Sequence, residues 1–368
     1  MTGCDFIQLA TASVQGLTPY VPGKPVEELE RELGISNIVK LASNENPLGP
    51  SESVLSALES VKPELTRYPD GNGFHLKAAL ASHLSVSSHQ ITLGNGSNDV
   101  LDLIARAYLA PGSEAIFSQY AFAVYPISTQ AVGAKAVVTP AKDYGHDLDA
   151  MANAVTDKTK VIFIANPNNP TGTSFGKEQW HAFIAKIPQQ VIVVLDEAYI
   201  EYVEGDGGLN GLDYLNQYPN LIVTRTFSKA YGLAALRVGY SISHPDVANV
   251  LNRVRQPFNV NSFALAGAVA ALNDTDYLQR SREINQQGMN QLVNGFKALG
   301  LDYIPSAGNF ITVHFDQSGS ELFEKLLQQG VIVRPVGNYG MPNSLRVSIG
   351  LEAENQRFLD ALTSVLEK

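Results

Sequence analysis

The chain has 368 residues, too many for one ordinary core, and its 45% hydrophobic and 17% charged residues suit a globular protein with one large domain and a smaller one. A formal net charge of −10 argues against a basic nucleic-acid face and against electrostatic attraction to an acidic membrane. The single cysteine, Cys4, excludes a disulfide framework or cysteine metal cluster, and no stretch reads as a secretory signal or a membrane span, so the expected location is the cytoplasm.

Residues 1–50 are rich in turns and prolines. Residues 26–33 read as a short helix stopped by Gly34, and the proline-rich flanks read as an arm laid over another surface, such as a second subunit. From Ser51, an N-cap candidate, helices and short apolar strands alternate. Strands are predicted over 90–93, 114–118, 135–139, 160–165, 191–195, 221–224 and 238–243. Helices are predicted over 74–84, 100–109 and 177–187, among others. Several strands are apolar on both faces, as in a buried, mostly parallel sheet, where ligands sit at the carboxyl ends of the strands. GDGGLNGLD, 205–213, reads as a glycine-rich loop. After Pro257 long helices appear, and helix and strand alternate to the end, so a boundary is placed near 257–262.

Four stretches carry chemistry. GNGSNDVL, 94–101, has glycines between a strand and a helix, with Ser97 and Asn98 at the helix start. Exposed N–H groups there suit a phosphate, although an ordinary turn has the same composition. VIFIANPNNPTGT, 161–173, ends a strand in a dense polar knot, with Asn169 held extended before Pro170. In VIVVLDEAYIEY, 191–202, Asp196 follows an apolar run and needs a cationic partner. A nucleotide hydrolase would pair such an aspartate with a GxxxxGK[ST] loop, which the chain lacks. Last comes TRTFSKAYGLAALRVGYSI, 224–242, where Lys229 lies just past a strand among small and apolar residues; burial there lowers an amine's pKa and frees it to attack a carbonyl. An amide, a buried carboxylate and a sheltered lysine at one sheet edge fit pyridoxal 5′-phosphate: lysine for the imine, carboxylate for the ring nitrogen, helix start and Arg237 for the phosphate.

The motifs LASNENPLGP, RYPDGNG, GNGSND, NPNNPTGT, VLDEAY, TFSKAYGLAALRVGY and SLRVSIG, in that order, span nearly the whole chain. With them the sequence resembles the fold-type I pyridoxal-phosphate aminotransferases, and most closely the histidinol-phosphate aminotransferase family. The resemblance implies an α/β fold like that of aspartate aminotransferase. Residues 51–258 would form a large domain with a mostly parallel seven-stranded sheet sandwiched by helices. Residues 259–368 would form a smaller α+β domain, and 1–50 an arm and part of that domain. It implies Lys229 as the Schiff-base lysine and proton shuttle, Asp196 as the ring-nitrogen partner, and Tyr199 and Asn169 as partners of the ring's 3-hydroxyl. Ser97, Asn98, Thr226, Ser228 and Arg237 would form the phosphate cup, and Phe122 would stack on the ring. Tyr68 would reach the neighbouring subunit's cofactor phosphate, which implies a homodimer. Arg346 would grip the substrate's anionic group, with Arg334 and Tyr20, the latter from the partner's arm, as further contacts and Asn46 in the substrate-side loop.

The implied reaction interconverts histidinol phosphate and 2-oxoglutarate with imidazole-acetol phosphate and glutamate, in histidine biosynthesis. An aromatic-amino-acid aminotransferase and a threonine-phosphate decarboxylase would share the catalytic set and stay open as alternatives. A cofactor-dependent regulator would need a DNA-binding module for which there is no spare length. Asn98, Ala235 and Leu265 depart from the family's usual acidic residue, glycine and glutamine; they bear on the shape of the cup, not on the chemistry. The seven histidines show no metal-ligand spacing, and no metal is expected. Trp180 reads as packing, and the acidic run 27–32 as a solvated helix face.

Overall fold

The computed structural model describes residues 4–20, 22–203, 205 and 208–367; Asp206 and Gly207 of the glycine-rich strip lie outside the described residues. Seven strands form one sheet: β1 Ile91–Gly94, β2 Glu114–Ser118, β3 Lys135–Thr139, β4 Thr159–Ala165, β5 Ile192–Asp196, β6 Leu221–Thr226 and β7 Gly239–Ser243. Their spatial order is β1-β7-β6-β5-β4-β2-β3. Every neighbouring pair is parallel except those of β7, which runs antiparallel to both β1 and β6. The strands expected at 114–118 and 135–139 have those limits, and the others differ by a residue or two. Strand β6 continues two residues beyond its apolar run, because Arg225 and Thr226 pair with Tyr240 and Gly239 of β7 and the buried Glu197 neutralises the Arg225 side chain.

Alternation along the strands divides two cores. Ile192 and Val194 of β5, with Phe163 and Ile222, pack under the helix Ser97–Tyr108 through its Val100, Leu101 and Ile104. Val193 and Leu195 face the other way, toward Trp180 and Phe183 of the helix Lys177–Ile184. Both faces are covered, as the apolar runs require. The helix 100–109 expected from periodicity starts three residues earlier, at Ser97, because Gly96 supplies the positive φ of 83° at its N-cap.

A second sheet, β8 Tyr303–Ile304, β9 Phe310–His314, β10 Arg334–Pro335 and β11 Ser344–Ser348, is antiparallel in the order β8-β9-β11-β10. It packs against the helices Thr275–Ala298 and Glu352–Leu366 around Phe296, Ile311, Val347 and Phe358. The N-terminal segment joins this smaller lobe: Val39–Lys40 pairs in parallel with Val331–Ile332, and Ser348 donates its backbone N–H to Leu41 O at 2.9 Å. No helix of the described residues is long and apolar enough to cross a membrane.

Among the described residues an ion pair is buried beneath the sheet's carboxyl edge. Arg225 Nε and Nη2 donate to Glu197 Oε2 at 2.9 and 2.7 Å, and Gly211 N–H donates to Glu197 Oε1 at 2.6 Å. Glu197→Ala should destabilise the larger lobe by about 3–5 kcal/mol, since it strands a buried guanidinium and a backbone donor. The check is the urea midpoint read from Trp180, the sole tryptophan and wholly buried in that lobe. An unchanged midpoint would refute the pairing's structural weight.

Candidate active site

Parallel strands that share a direction also share an edge. β4 ends at Ala165 and leads into Asn166–Pro167 and Asn169–Pro170, both cis; β5 ends at Asp196, β6 at Thr226, and Lys229 follows in the next turn. These ends open into a cavity of about 940 Å³ including its mouth, closed on the far side by the smaller lobe's Arg334, Tyr339 and Arg346.

Asp196 is 4% exposed. Its Oδ2 accepts from Tyr125 Oη at 2.8 Å and its Oδ1 from Thr224 Oγ1 at 3.0 Å. Both donors are neutral, so the cation expected of a ligand is not supplied by these side chains. Burial drives its pKa up to about 6, against the hydrogen bonds from Tyr125, Thr224 and the Ala198 backbone. Lys229 lines the same cavity and donates from Nζ to Ser43 O at 3.0 Å. Burial, and then the positive charges of Arg346 and Arg237, pull its pKa down to about 7, with Glu45 opposing.

One end of the cavity is made by the start of the helix Ser97–Tyr108, with Ser97, Asn98, Thr226, Ser228 and Arg237 around it. Arg237 Nη1 donates to Ser228 Oγ at 3.2 Å and to Ala234 O at 3.0 Å. A Cβ on Gly96 would lie 2.4 Å from Arg237 Nη2 and would push that guanidinium out of place, and the positive φ there also favours glycine. Ala235, where the family usually has glycine, is exposed and leaves Arg237 in this cup. Phe122 lines the wall and meets Tyr125 edge-on, with 5.9 Å between centroids.

Toward the smaller lobe, Tyr199 Oη accepts from Asn44 Nδ2 at 2.9 Å and from Asn169 Nδ2 at 3.2 Å. Burial raises its pKa to about 12, so the phenol keeps its proton. Arg346 is 7% exposed; Nη1 donates to Asn169 Oδ1 at 2.6 Å and Nη2 to Ala42 O at 2.7 Å, leaving Nε as a buried donor without a partner. Arg334 holds its guanidinium carbon 5.6 Å from the centre of the Tyr20 ring, and both line the cavity.

Two expected residues, Tyr20 and Asn46, are placed differently. Tyr20, expected from a partner's arm, sits at the cavity of its own chain. Lys24 pairs within its own chain with Glu32 at 2.5 Å and Glu28 at 3.7 Å. Asn46 does not line the cavity. Its Nδ2 is spent on Ala230 O at 2.9 Å and Ser281 Oγ at 2.8 Å, and its Oδ1 accepts from Leu48 N–H at 3.0 Å. Asn44, two residues earlier, takes the cavity position. Tyr68 lies outside its own chain's cavity, 83% exposed and stacked on Phe258 at 4.7 Å. Sequence reasoning also missed Tyr125 and Thr224, the two hydroxyls on Asp196. Tyr125 lies in the first turn of the helix Val124–Ala131 and reads there as a core aromatic.

The family model described as aminotransferase class I and II matches residues 36–362. A protein of Pseudomonas fluorescens named histidinol-phosphate aminotransferase 2 is 64% identical over 366 residues, 99% of each chain. Its namesake in Pseudomonas aeruginosa is 63% identical over 364 residues, 98% of this chain and 99% of the other. The crystal structure of histidinol-phosphate aminotransferase from Sinorhizobium meliloti, in complex with pyridoxal 5′-phosphate, superposes with a TM-score of 0.90 at 31% identity, over 97% of each chain.

Proposed function

The chain belongs to the class I and II aminotransferases, and we propose that it transfers the amino group between histidinol phosphate and 2-oxoglutarate, giving imidazole-acetol phosphate and glutamate, in histidine biosynthesis. It is a pyridoxal-5′-phosphate-dependent enzyme. The residues present fit that group. One observation carries the fit: a buried carboxylate with two neutral donors, Asp196, lines the same cavity as a buried amine of lowered pKa, Lys229. A protonated ring nitrogen suits the first and an aldehyde the second. Arg237, Ser97, Asn98, Thr226 and Ser228 are the set that would hold the phosphate, at a helix start. When bound, the coenzyme supplies an electron-accepting ring conjugated to the carbon that takes up and releases the amino group.

The chain's residues divide the remaining work. Lys229 would hold the coenzyme's aldehyde and, with its amine free, would move the proton on the substrate's Cα as general base and acid. Asp196 would keep the ring nitrogen protonated, Tyr199 and Asn169 would address the ring's 3-oxygen, and Phe122 would cover the ring face. Arg346 and Arg334 bind the phosphate of one substrate and the carboxylate of the other, as guanidinium forks suit both anions. Tyr20 covers Arg334 from the same chain. Tyr68 reaches the partner subunit's cofactor phosphate in a homodimer, which its exposure supports. The enzyme works in the cytoplasm, with residues 51–258 carrying the cofactor and 259–368, with the arm 1–50, carrying the substrate arginines.

The test is a single half-reaction. Histidinol phosphate, phenylalanine or threonine phosphate is mixed with the loaded enzyme, and the coenzyme's absorbance is followed. Conversion to the amine form by histidinol phosphate alone is expected. Conversion by phenylalanine alone would move the assignment to an aromatic aminotransferase, and carbon dioxide release from threonine phosphate to a decarboxylase. In steady-state turnover with histidinol phosphate and 2-oxoglutarate, Arg346→Ala should raise KM for both substrates by about 10- to 100-fold, the loss of charged hydrogen bonds. Unchanged KM values for both would remove Arg346 from substrate binding.

A further inference from the structure

The hydroxyl of Tyr199 receives two N–H donors at once, from Asn44 at 2.9 Å and Asn169 at 3.2 Å. A phenol oxygen has two acceptor positions and one proton. Both acceptor positions are filled, so one direction remains for the proton, and among the described residues nothing accepts it.

Each amide is itself fixed from behind. Asn169 cannot turn its oxygen to the tyrosine, because Oδ1 accepts from Arg346 Nη1 at 2.6 Å. Asn44 is held by the smaller lobe: its N–H donates to Ser348 Oγ at 2.8 Å, Ser348 Oγ donates to its Oδ1 at 3.2 Å, and Asn309 Nδ2 donates to its carbonyl at 3.0 Å. Asn44 and Ser348 are 1% and 4% exposed, so water does not compete for these bonds. The backbone at Asn44 is left-handed, with φ 54°, a region that asparagine and glycine tolerate and most residues do not.

We propose that Asn44 is a positioning residue for the reaction. By donating to Tyr199 it commits the tyrosine's proton to the cavity, where that proton is given to the 3-oxygen of bound pyridoxal phosphate. The assignment rests on the functional reading above. It adds a donor that belongs to the smaller lobe, so the polarity of a side chain that faces the cofactor is set from across the cavity.

The test is a double-mutant cycle read by the pH titration of the bound coenzyme's absorbance, with the affinity of the cofactor-free protein for pyridoxal phosphate as a second readout. A hydrogen bond donated to the 3-oxygen stabilises its anion, so the proton shared with the adjoining imine nitrogen leaves at lower pH. Asn44→Gly removes the donor without backbone strain and should raise the titration midpoint by about half to one pH unit. Tyr199→Phe should raise it further, and adding Asn44→Gly in that background should change nothing. Asn44→Asp keeps the side chain's shape but presents an acceptor that claims the proton. Its rise should match or exceed that of Asn44→Gly and should shrink in the Tyr199→Phe background; it decides the question if Asn44→Gly fails to fold. A shift of equal size in both backgrounds, or none in either, overturns the proposal, since Asn44 would then act by another route. A parent protein that forms no imine would overturn the functional reading and this one together, and is recognised because no variant then absorbs.

Discussion

Replacing Lys229 by alanine should abolish the covalent adduct with pyridoxal phosphate and lower kcat by at least about 10⁴-fold, because one amine serves as both nucleophile and proton carrier. The adduct is read by absorbance after borohydride reduction, and turnover in the coupled assay. A variant that still traps coenzyme at wild-type yield would end the assignment. The wild-type amine carries its own pH signature. Its pKa is held down to about 7, first by burial and then by Arg346 and Arg237. A protonated amine has no lone pair to attack with, so adduct formation by the cofactor-free protein should accelerate as pH rises through about 7. An ordinary lysine would not reach that point until about pH 10.4. Since Arg346 is the leading charge among these causes, Arg346→Met should move the acceleration to higher pH. A midpoint that stays where it was would show that burial alone sets it.

Asp196→Asn should lower kcat by about 10³-fold, the scale of losing a preorganised charge opposite a developing one. The substitution is nearly isosteric and leaves Tyr125 and Thr224 in place, so the loss reports charge rather than shape. It also predicts two changes of opposite sign. The cofactor-free protein should melt a few degrees higher, because above pH about 6 the ionised Asp196 is a buried charge held only by neutral donors. Adding pyridoxal phosphate should then stabilise the variant less than it stabilises the parent. Thermal melts with and without coenzyme separate the two. If coenzyme stabilises both proteins equally, Asp196 does not face the ring nitrogen.

Much of this site was legible because its residues sit where apolar runs stop. Asp196 ends five apolar positions, and Lys229 follows a strand that the pattern LIVT announces. Strand β6 nevertheless runs on to Thr226. Arg225 and Thr226 look like the polar turn that ends a strand, and only the buried Glu197 makes Arg225 at home inside one. The exchange of Asn44 for Asn46 has a similar cause. Two asparagines two positions apart in LASNENPLGP carry the same chemistry, and the left-handed turn at Asn44 decides which amide enters the cavity. Tyr125 was hidden for the opposite reason: in YAFAVYP it reads as one more core aromatic, and it is wholly buried, with its ring stacked on Phe163. What it does for Asp196 depends on a contact between residues far apart in the chain, which no local pattern encodes.

The placement of β7 reaches back to how the molecule is made. β1 lies at the sheet's edge, and its one neighbour there is β7, with Ile91 opposite Ile242. A ribosome adding about 5–20 residues per second delivers β1 on the order of ten seconds before the strand that must cover it. Through that interval β1, buried on both faces in the finished fold, is a bare template of apolar side chains and unpaired peptide groups, the kind that recruits other chains. The nascent protein is therefore at its most aggregation-prone just before residue 239 emerges, and chaperone occupancy during its synthesis should peak there.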